Sequence, residues 1–147
     1  MRYSKASRSF FLMTETPPPT ISTPVEENIL VVDDEPAVLS IIALVLRKSG
    51  FHVLEANSGI KAWEIFQTRH DQIRVVITDM SMPGMSGMDL IQAIRKCDPD
   101  LHIIATTGMT TGNQMKKIQE AGVLHVLSKP CGSREIIALV RGLFAKS

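Results

Sequence analysis

Cysteine is scarce in this chain. Cys97 and Cys131 are the only two among 147 residues, so a disulfide scaffold is excluded. Reduced thiols in a cytosolic setting are the default for such usage, and a cytoplasmic location is expected. An excess of one charge sign is lacking too: 16 Lys and Arg stand against 15 Asp and Glu, a net charge of +1. That balance makes no strong basic field, so neither nucleic acid nor a membrane surface is expected as a partner. No apolar run approaches the ~20 residues that a membrane-spanning helix needs. Phe10-Phe11-Leu12-Met13 is also shorter than the apolar core of a secretory signal, about 7–15 residues. His52, His70, His102 and His125 lack the spacing of a metal cluster and read as structural. No Gly-x-Gly-x-x-Gly follows the first apolar run of the folded part, so the dinucleotide fingerprint is missing.

What is present is ordinary for one globular domain: 44% hydrophobic and 21% charged residues. A chain of this length suits one domain and can bury roughly 70% of its unfolded surface. Residues 1–27 differ from the rest. Met1–Met13 carries Arg2, Lys5 and Arg8 with no acid, and Met13 is a second candidate start. Thr14–Glu27 is rich in Thr, Pro and Glu, with Pro17-Pro18-Pro19 inside it. Such a segment cannot bury enough surface to offset its ordering entropy. The expected organisation is therefore an extended or disordered tail, 1–27, and a folded unit, 28–147.

Within the folded unit, short β-branched runs alternate with helical stretches, without repeats. Ile29-Leu30-Val31-Val32 reads as a strand covered on both faces. Pro36 to Ser49 reads as a helix, with Val38, Ile41, Ile42, Val45 and Leu46 at helical spacing and Gly50 as its stop. A second strand is predicted over His52–Ala56, and Ser58 caps a helix through about Thr68 that offers Ile60, Trp63, Ile65 and Phe66. Further strands are predicted over Val75–Thr78, Leu101–Thr106 and His125–Leu127. Helices are predicted over Gly87–Arg95, Gly112–Ala121 and Ser133 to about Ala145. Their inward positions are Leu90, Ile91 and Ile94; Met115 and Ile118; and Ile136, Ile137, Val140 and Phe144. Strand–helix alternation of this kind implies an α/β fold, a parallel sheet between helix layers joined by right-handed crossovers. Its functional crevice lies beyond the carboxyl ends of the strands.

The residues at those ends carry the chemistry. Asp33-Asp34-Glu35 follows the first strand, Asp79 the third, Thr106-Thr107 the fourth and Lys129-Pro130 the fifth. If the first and third strands are neighbours, their carboxylates converge and raise one another's pKa values. A hard divalent cation relieves that repulsion, and Mg²⁺ suits an oxygen-only donor set. A lysine and a hydroxyl on adjacent strands complete a site for a phosphoryl group. Each residue alone has a plain structural explanation as turn former, cap or β-former. Their joint occurrence at the ends of four strands does not.

These motifs resemble the receiver domain of bacterial two-component signalling, the response-regulator family. The resemblance lies in Ile29–Glu35, Ile77–Gly87, Ile103–Gly108 and Ser128-Lys129-Pro130, and it covers about Asn28 to Ala145. It implies a flavodoxin-like, doubly wound (βα)5 fold with five strands in the order 2-1-3-4-5 and helices on both faces. It implies Asp79 as phosphoacceptor, and Asp33, Asp34, Asp79 and the Ser81 carbonyl as the Mg²⁺ site. Thr107 would be the hydroxyl that bonds the phosphoryl group, Lys129 the cation that pairs with it, and Lys129-Pro130 a cis bond. The donor would be phosphohistidine on a sensor histidine kinase or phosphotransfer protein. The domain would catalyse only its own phosphorylation and slow dephosphorylation.

The sequence departs from the family at two places. Val126 stands where relatives carry an aromatic switch residue, and it reads as a core valine. Cys131 stands where many carry an aromatic after Lys-Pro, and it reads as a buried, inert thiol. Met80, Met82, Met85 and Met88 crowd the segment after Asp79 and read as gap-filling packing. Lys116, Lys117, Arg134 and Arg141 read as solvated helix charge. With about 120 residues used by the fold, output is expected through protein contacts. A downstream protein target and a phosphorylation-dependent homodimer are the options, in a single-domain regulator or a hybrid-kinase fragment. A phosphohydrolase of the haloacid-dehalogenase type fits less well, because Asp33-Asp34-Glu35-Pro36 lacks that family's spaced aspartates. A degenerate receiver would lack a site residue, and none is lacking.

Overall fold

Runs of Ile, Leu and Val form the centre of this molecule, because a strand without polar alternation is stable only when both its faces are covered. The structure is a computed structural model that describes residues 27–108 and 111–145. The tail expected over residues 1–27 falls almost wholly outside the described residues, as do Met109 and Thr110. Five parallel strands run in the order β2-β1-β3-β4-β5: β1 (Asn28–Val32), β2 (His52–Ala56), β3 (Ile73–Asp79), β4 (His102–Thr107) and β5 (His125–Ser128). Five helices connect and follow them: α1 (Pro36–Lys48), α2 (Gly59–Arg69), α3 (Gly87–Cys97), α4 (Gly112–Glu120) and α5 (Ser133–Ala145). This is the expected doubly wound topology.

Alternate residues of each strand serve opposite cores. Leu30, Val32, Val76, Ile103 and Ala105 pack under Ala62 and Phe66 of α2, Leu90, Ile91 and Ile94 of α3, and Ile118 of α4. Ile29, Val31, Val75, Ile77 and Ile104 pack under Leu39, Ile42 and Leu46 of α1 and Ile136, Val140 and Leu143 of α5. Gly50, the expected stop of α1, has a left-handed backbone at φ +97°, and so does Gly122 just past α4, at φ +80°. Ser58 caps α2 by accepting the Lys61 N–H, and Ser86 with Asp89 forms a capping box on α3.

Several element limits move by one or two residues, and some expected inward positions do not point inward. Ile41 and Ile60 are each 59% exposed. The buried set of α1 is Leu39, Ile42, Ala43 and Leu46, spaced 3, 1 and 3 apart, which leaves Ile41 on the outer side of that arc. Met115, Ile137 and Phe144 are only half-buried, whereas Leu143 takes an interior place on α5. Val126 is half-buried rather than a sealed core valine, because β5 is an edge strand.

Candidate functional site

Sheet register brings the chemistry-bearing residues together. Val32 lies opposite Thr78, so the next residue of each strand, Asp33 and Asp79, are neighbours. Asp79 lies opposite Thr106, and Thr107 opposite Ser128. Backbone hydrogen bonds continue the ladder one residue past the strands: Asp33 N–H to the Ala56 carbonyl (3.2 Å), Met80 N–H to Thr106 (3.0 Å) and Lys129 N–H to Thr107 (2.8 Å). The site residues therefore inherit the rigidity of the sheet: Asp79 and Thr107 occupy its last paired positions, and Asp33 and Lys129 directly follow theirs.

Asp33 and Asp79 are buried, at 1% and 4% exposure, while Asp34 is more open to solvent. One carboxylate oxygen from each of the three lies within 4.8 Å of the others. The ammonium of Lys129 is 2.9 Å from Asp33 Oδ2, 3.3 Å from Asp79 Oδ2 and 3.7 Å from Glu35 Oε1. The opposite oxygens are held by backbone: Asp33 Oδ1 accepts the Glu35 N–H at 2.9 Å, and Asp79 Oδ1 accepts the Ser81 N–H at 3.3 Å. Thr107 is buried at the end of β4, and the Lys129-Pro130 bond is cis, as expected.

Burial pushes the Asp79 carboxyl above its usual range, and nearby Asp33 adds to that; Lys129 and the Ser81 N–H only partly offset it. Burial also pulls the Lys129 ammonium down, but Asp33 and Asp79 together outweigh that influence and its pKa is raised. The lysine is thus firmly charged, whereas Asp79 is short of compensating positive charge. Asp33 Oδ2 is likewise a buried oxygen without a well-formed hydrogen bond, although the ammonium serves as its charge partner. A buried carboxylate oxygen with only the ammonium for partner, among convergent hard donors, fits a divalent cation with oxygen ligands and retained waters.

Two features were not assigned from sequence. Glu35 adds a third carboxylate to the surroundings of Lys129. An apolar cavity of about 370 Å³ opens beside the site between Val38, Ile41 and Ile42 of α1 and Pro130-Cys131, with Glu35, Thr106 and Lys129 in its wall. Cys131 is half-buried there, and burial, followed by the charge of Glu135, pushes its thiol pKa up. That suits an unreactive thiol. Met80 and Met82 are buried, and Met85 and Met88 pack on the same core, so the methionines around the Asp79 loop fill space. Among the described residues, the carboxylate trio alone groups three metal-ligating side chains, and no helix is long and apolar enough to cross a membrane.

The same fold occurs in known proteins. Residues 29–141 match the family model described as the response regulator receiver domain. A chemotaxis protein CheY homolog of Campylobacter jejuni is 37% identical over 108 residues, covering 70% of this chain and 81% of that protein. The transcriptional regulatory protein YesN of Bacillus subtilis is 31% identical, over 81% of this chain but only 33% of its own length. The sensor histidine kinase GacS of Pseudomonas protegens is also 31% identical, over 77% of this chain and 13% of its own. The chain thus spans a third or less of those two larger proteins. The crystal structure of a response regulator receiver domain protein from Clostridium thermocellum superposes with a TM-score of 0.76 at 33% identity, over 81% of this chain and 94% of that one. A match this long, on a backbone this similar, makes the chain a member of the response regulator receiver domain family of two-component signalling.

Proposed function

We propose that Asp79 accepts a phosphoryl group from phosphohistidine on a sensor kinase or phosphotransfer protein, and that the resulting acyl phosphate switches a protein-interaction surface. The observation that carries this reading is the convergence of Asp33, Asp34, Asp79 and Lys129 at the carboxyl ends of β1, β3 and β5. In the transfer, an Asp79 carboxylate oxygen forms the new P–O bond as the P–N bond to histidine breaks in line with it. Lys129, already 3.3 Å from Asp79 Oδ2, is close enough to pair with the incoming phosphoryl oxygens. Asp33, Asp34, Asp79 and the Ser81 carbonyl would hold Mg²⁺, which supplies neutralisation of phosphoryl charge during transfer. The product adds about −1.5 to −2 charge and three strong acceptor oxygens. Thr107 donates its hydroxyl to one of them, and the α4 side of the molecule repacks. Water later hydrolyses the acyl phosphate and restores the carboxylate, so no external substrate turns over.

In this reading residues 28–147 are the signalling unit, residues 1–27 a tail, and the output contact is a downstream protein or a second phosphorylated copy. A cytoplasmic location follows from the phosphohistidine donor. The test is incubation with acetyl phosphate and Mg²⁺. A hydroxylamine-sensitive adduct of one phosphoryl group per chain is expected, absent in Asp79→Asn and without Mg²⁺. An adduct that persists in Asp79→Asn would sink the assignment.

A further inference from the structure

We propose that Arg95 pins the C-terminal end of α4, so that the switch displaces the N-terminal end of this helix and leaves its C-terminal end in place. The inference rests on the reading of Asp79 as phosphoacceptor and adds where the response travels. Helix α4 is thinly attached: Ile118 is its only buried residue. Its N-terminal end begins at Gly112, five residues after Thr107, and its first turn is capped locally by Thr111, whose hydroxyl accepts the Gln114 N–H at 3.2 Å.

The opposite end is held very differently. Arg95, from the last turn of α3, donates from Nε to the Ala121 carbonyl at 3.0 Å and from Nη2 to the Gly122 carbonyl at 3.1 Å. Its Nη1 donates to the Leu101 carbonyl at 2.8 Å and to Asp98 at 3.3 Å. Ala121 and Gly122 lie just past α4, where helix carbonyls lack intrahelical partners and the helix dipole is negative. A guanidinium is a planar fork that can satisfy several such acceptors at once. Gly122 completes the fit: its φ is +80°, and a Cβ there would come within 3.3 Å of Arg95 Nε. The base of the clamp is firm, because Leu90, Ile91 and Ile94 of α3 are fully buried. Among the described residues no carboxylate is within ion-pair distance of Arg95, so its charge is committed to main-chain carbonyls. One end of α4 is therefore tied to the core through α3 and the entry to β4, and the other follows the segment leaving Thr107.

Amide hydrogen exchange on the whole chain, with and without Mg²⁺ and beryllofluoride as phosphoryl analogue, tests this. In the native protein the change in exchange on adding the analogue should be at least threefold larger over residues 111–117 than over 119–124. In Arg95→Gln the two segments should respond alike, with stoichiometric analogue bound at Asp79 as before. Arg95→Lys keeps the charge but offers one nitrogen in place of the fork, and should also flatten the gradient. Equal responses at both ends of the native helix, or an unaltered gradient in Arg95→Lys, would overturn the pin while leaving the phosphoacceptor reading intact. Failure of the analogue to bind at Asp79 would overturn both.

Discussion

Asp79 is held at a cost that only its chemistry explains. Its carboxyl is raised above the ordinary 3.8, by burial first and by Asp33 among its neighbours. A carboxyl shifted upward binds its proton more tightly in the folded than in the unfolded chain. The contribution of Asp79 to stability is then greatest below pH 3.8 and falls as pH rises from there through the folded value. Asp79→Asn keeps the shape and removes the charge, so it should raise the metal-free melting temperature at pH 7, with the gain fading as pH falls towards 3.8. A lower melting temperature at pH 7 would contradict the burial argument. Lys129 has the opposite sign. Its pKa is raised above 10.5, so its stabilisation is complete below that value and is lost as pH climbs through the folded one. Lys129→Met leaves Asp33 and Asp79 buried together without their cation. Breaking such a pair costs about 3 kcal/mol, somewhat less where water can reach it. Urea unfolding without Mg²⁺ should show that loss, and adding Asp79→Asn should recover part of it, since the two groups share one interaction.

At the scale of elements, the site depends on how closely helices and loops approach the strand ends. A Cβ at Gly87, the first residue of α3, would lie 2.2 Å from the Asp79 carbonyl oxygen and 2.7 Å from Met80 Cα. Both are backbone atoms and neither can swing aside. Gly87→Ala should therefore cost about 1–3 kcal/mol and also slow phosphoryl transfer, because the strain falls on the residue that carries the nucleophile. Gly112→Ala, at the start of α4 with nothing among the described residues within 4 Å of its would-be Cβ, should be neutral or mildly stabilising in the same unfolding assay. Equal effects from the two would refute the close-approach argument. The contrast also marks the limit of sequence reading. Strands were legible because continuous β-branched runs have few other uses, and the site was legible because its acids and lysine immediately follow those runs. Gly87 read simply as a helix start, since its neighbour is a carbonyl eight residues back across a loop. The exposure of Ile41 depends on which part of an apolar arc meets α5 and the sheet. The acceptors of Arg95 are backbone carbonyls, which leave no mark in residue identity.

For the molecule as a whole, one end of the sheet is electrostatically unbalanced although the chain is nearly neutral. Asp33, Glu35 and Asp79 gather around the ammonium of Lys129, and Asp34 lies beside Asp33 and Asp79. The two cores that sandwich the sheet end at this edge, so a repulsion there acts on β1 and β3, the middle of the fold, rather than on a dispensable loop. Whatever relieves the repulsion should stabilise the whole unit. A cation that binds only the folded state adds RT ln(1 + [L]/Kd), about 2.7 kcal/mol at a hundredfold excess over Kd. For a unit of this size that is roughly 10 °C in melting temperature. Titrating Mg²⁺ into the protein should raise its Tm towards that amount. Asp34→Ala separates the two contributions, because Asp34 is the most open of the trio and makes no ion pair among the described residues. Its removal should leave the metal-free Tm within about 2 °C of native, since open surface substitutions rarely exceed ±0.5 kcal/mol, yet abolish most of the Mg²⁺ response. A native protein indifferent to millimolar Mg²⁺, or an Asp34→Ala protein that responds as fully as native, would mean that these carboxylates do not form a metal site. The charge imbalance at the sheet edge would then need another partner.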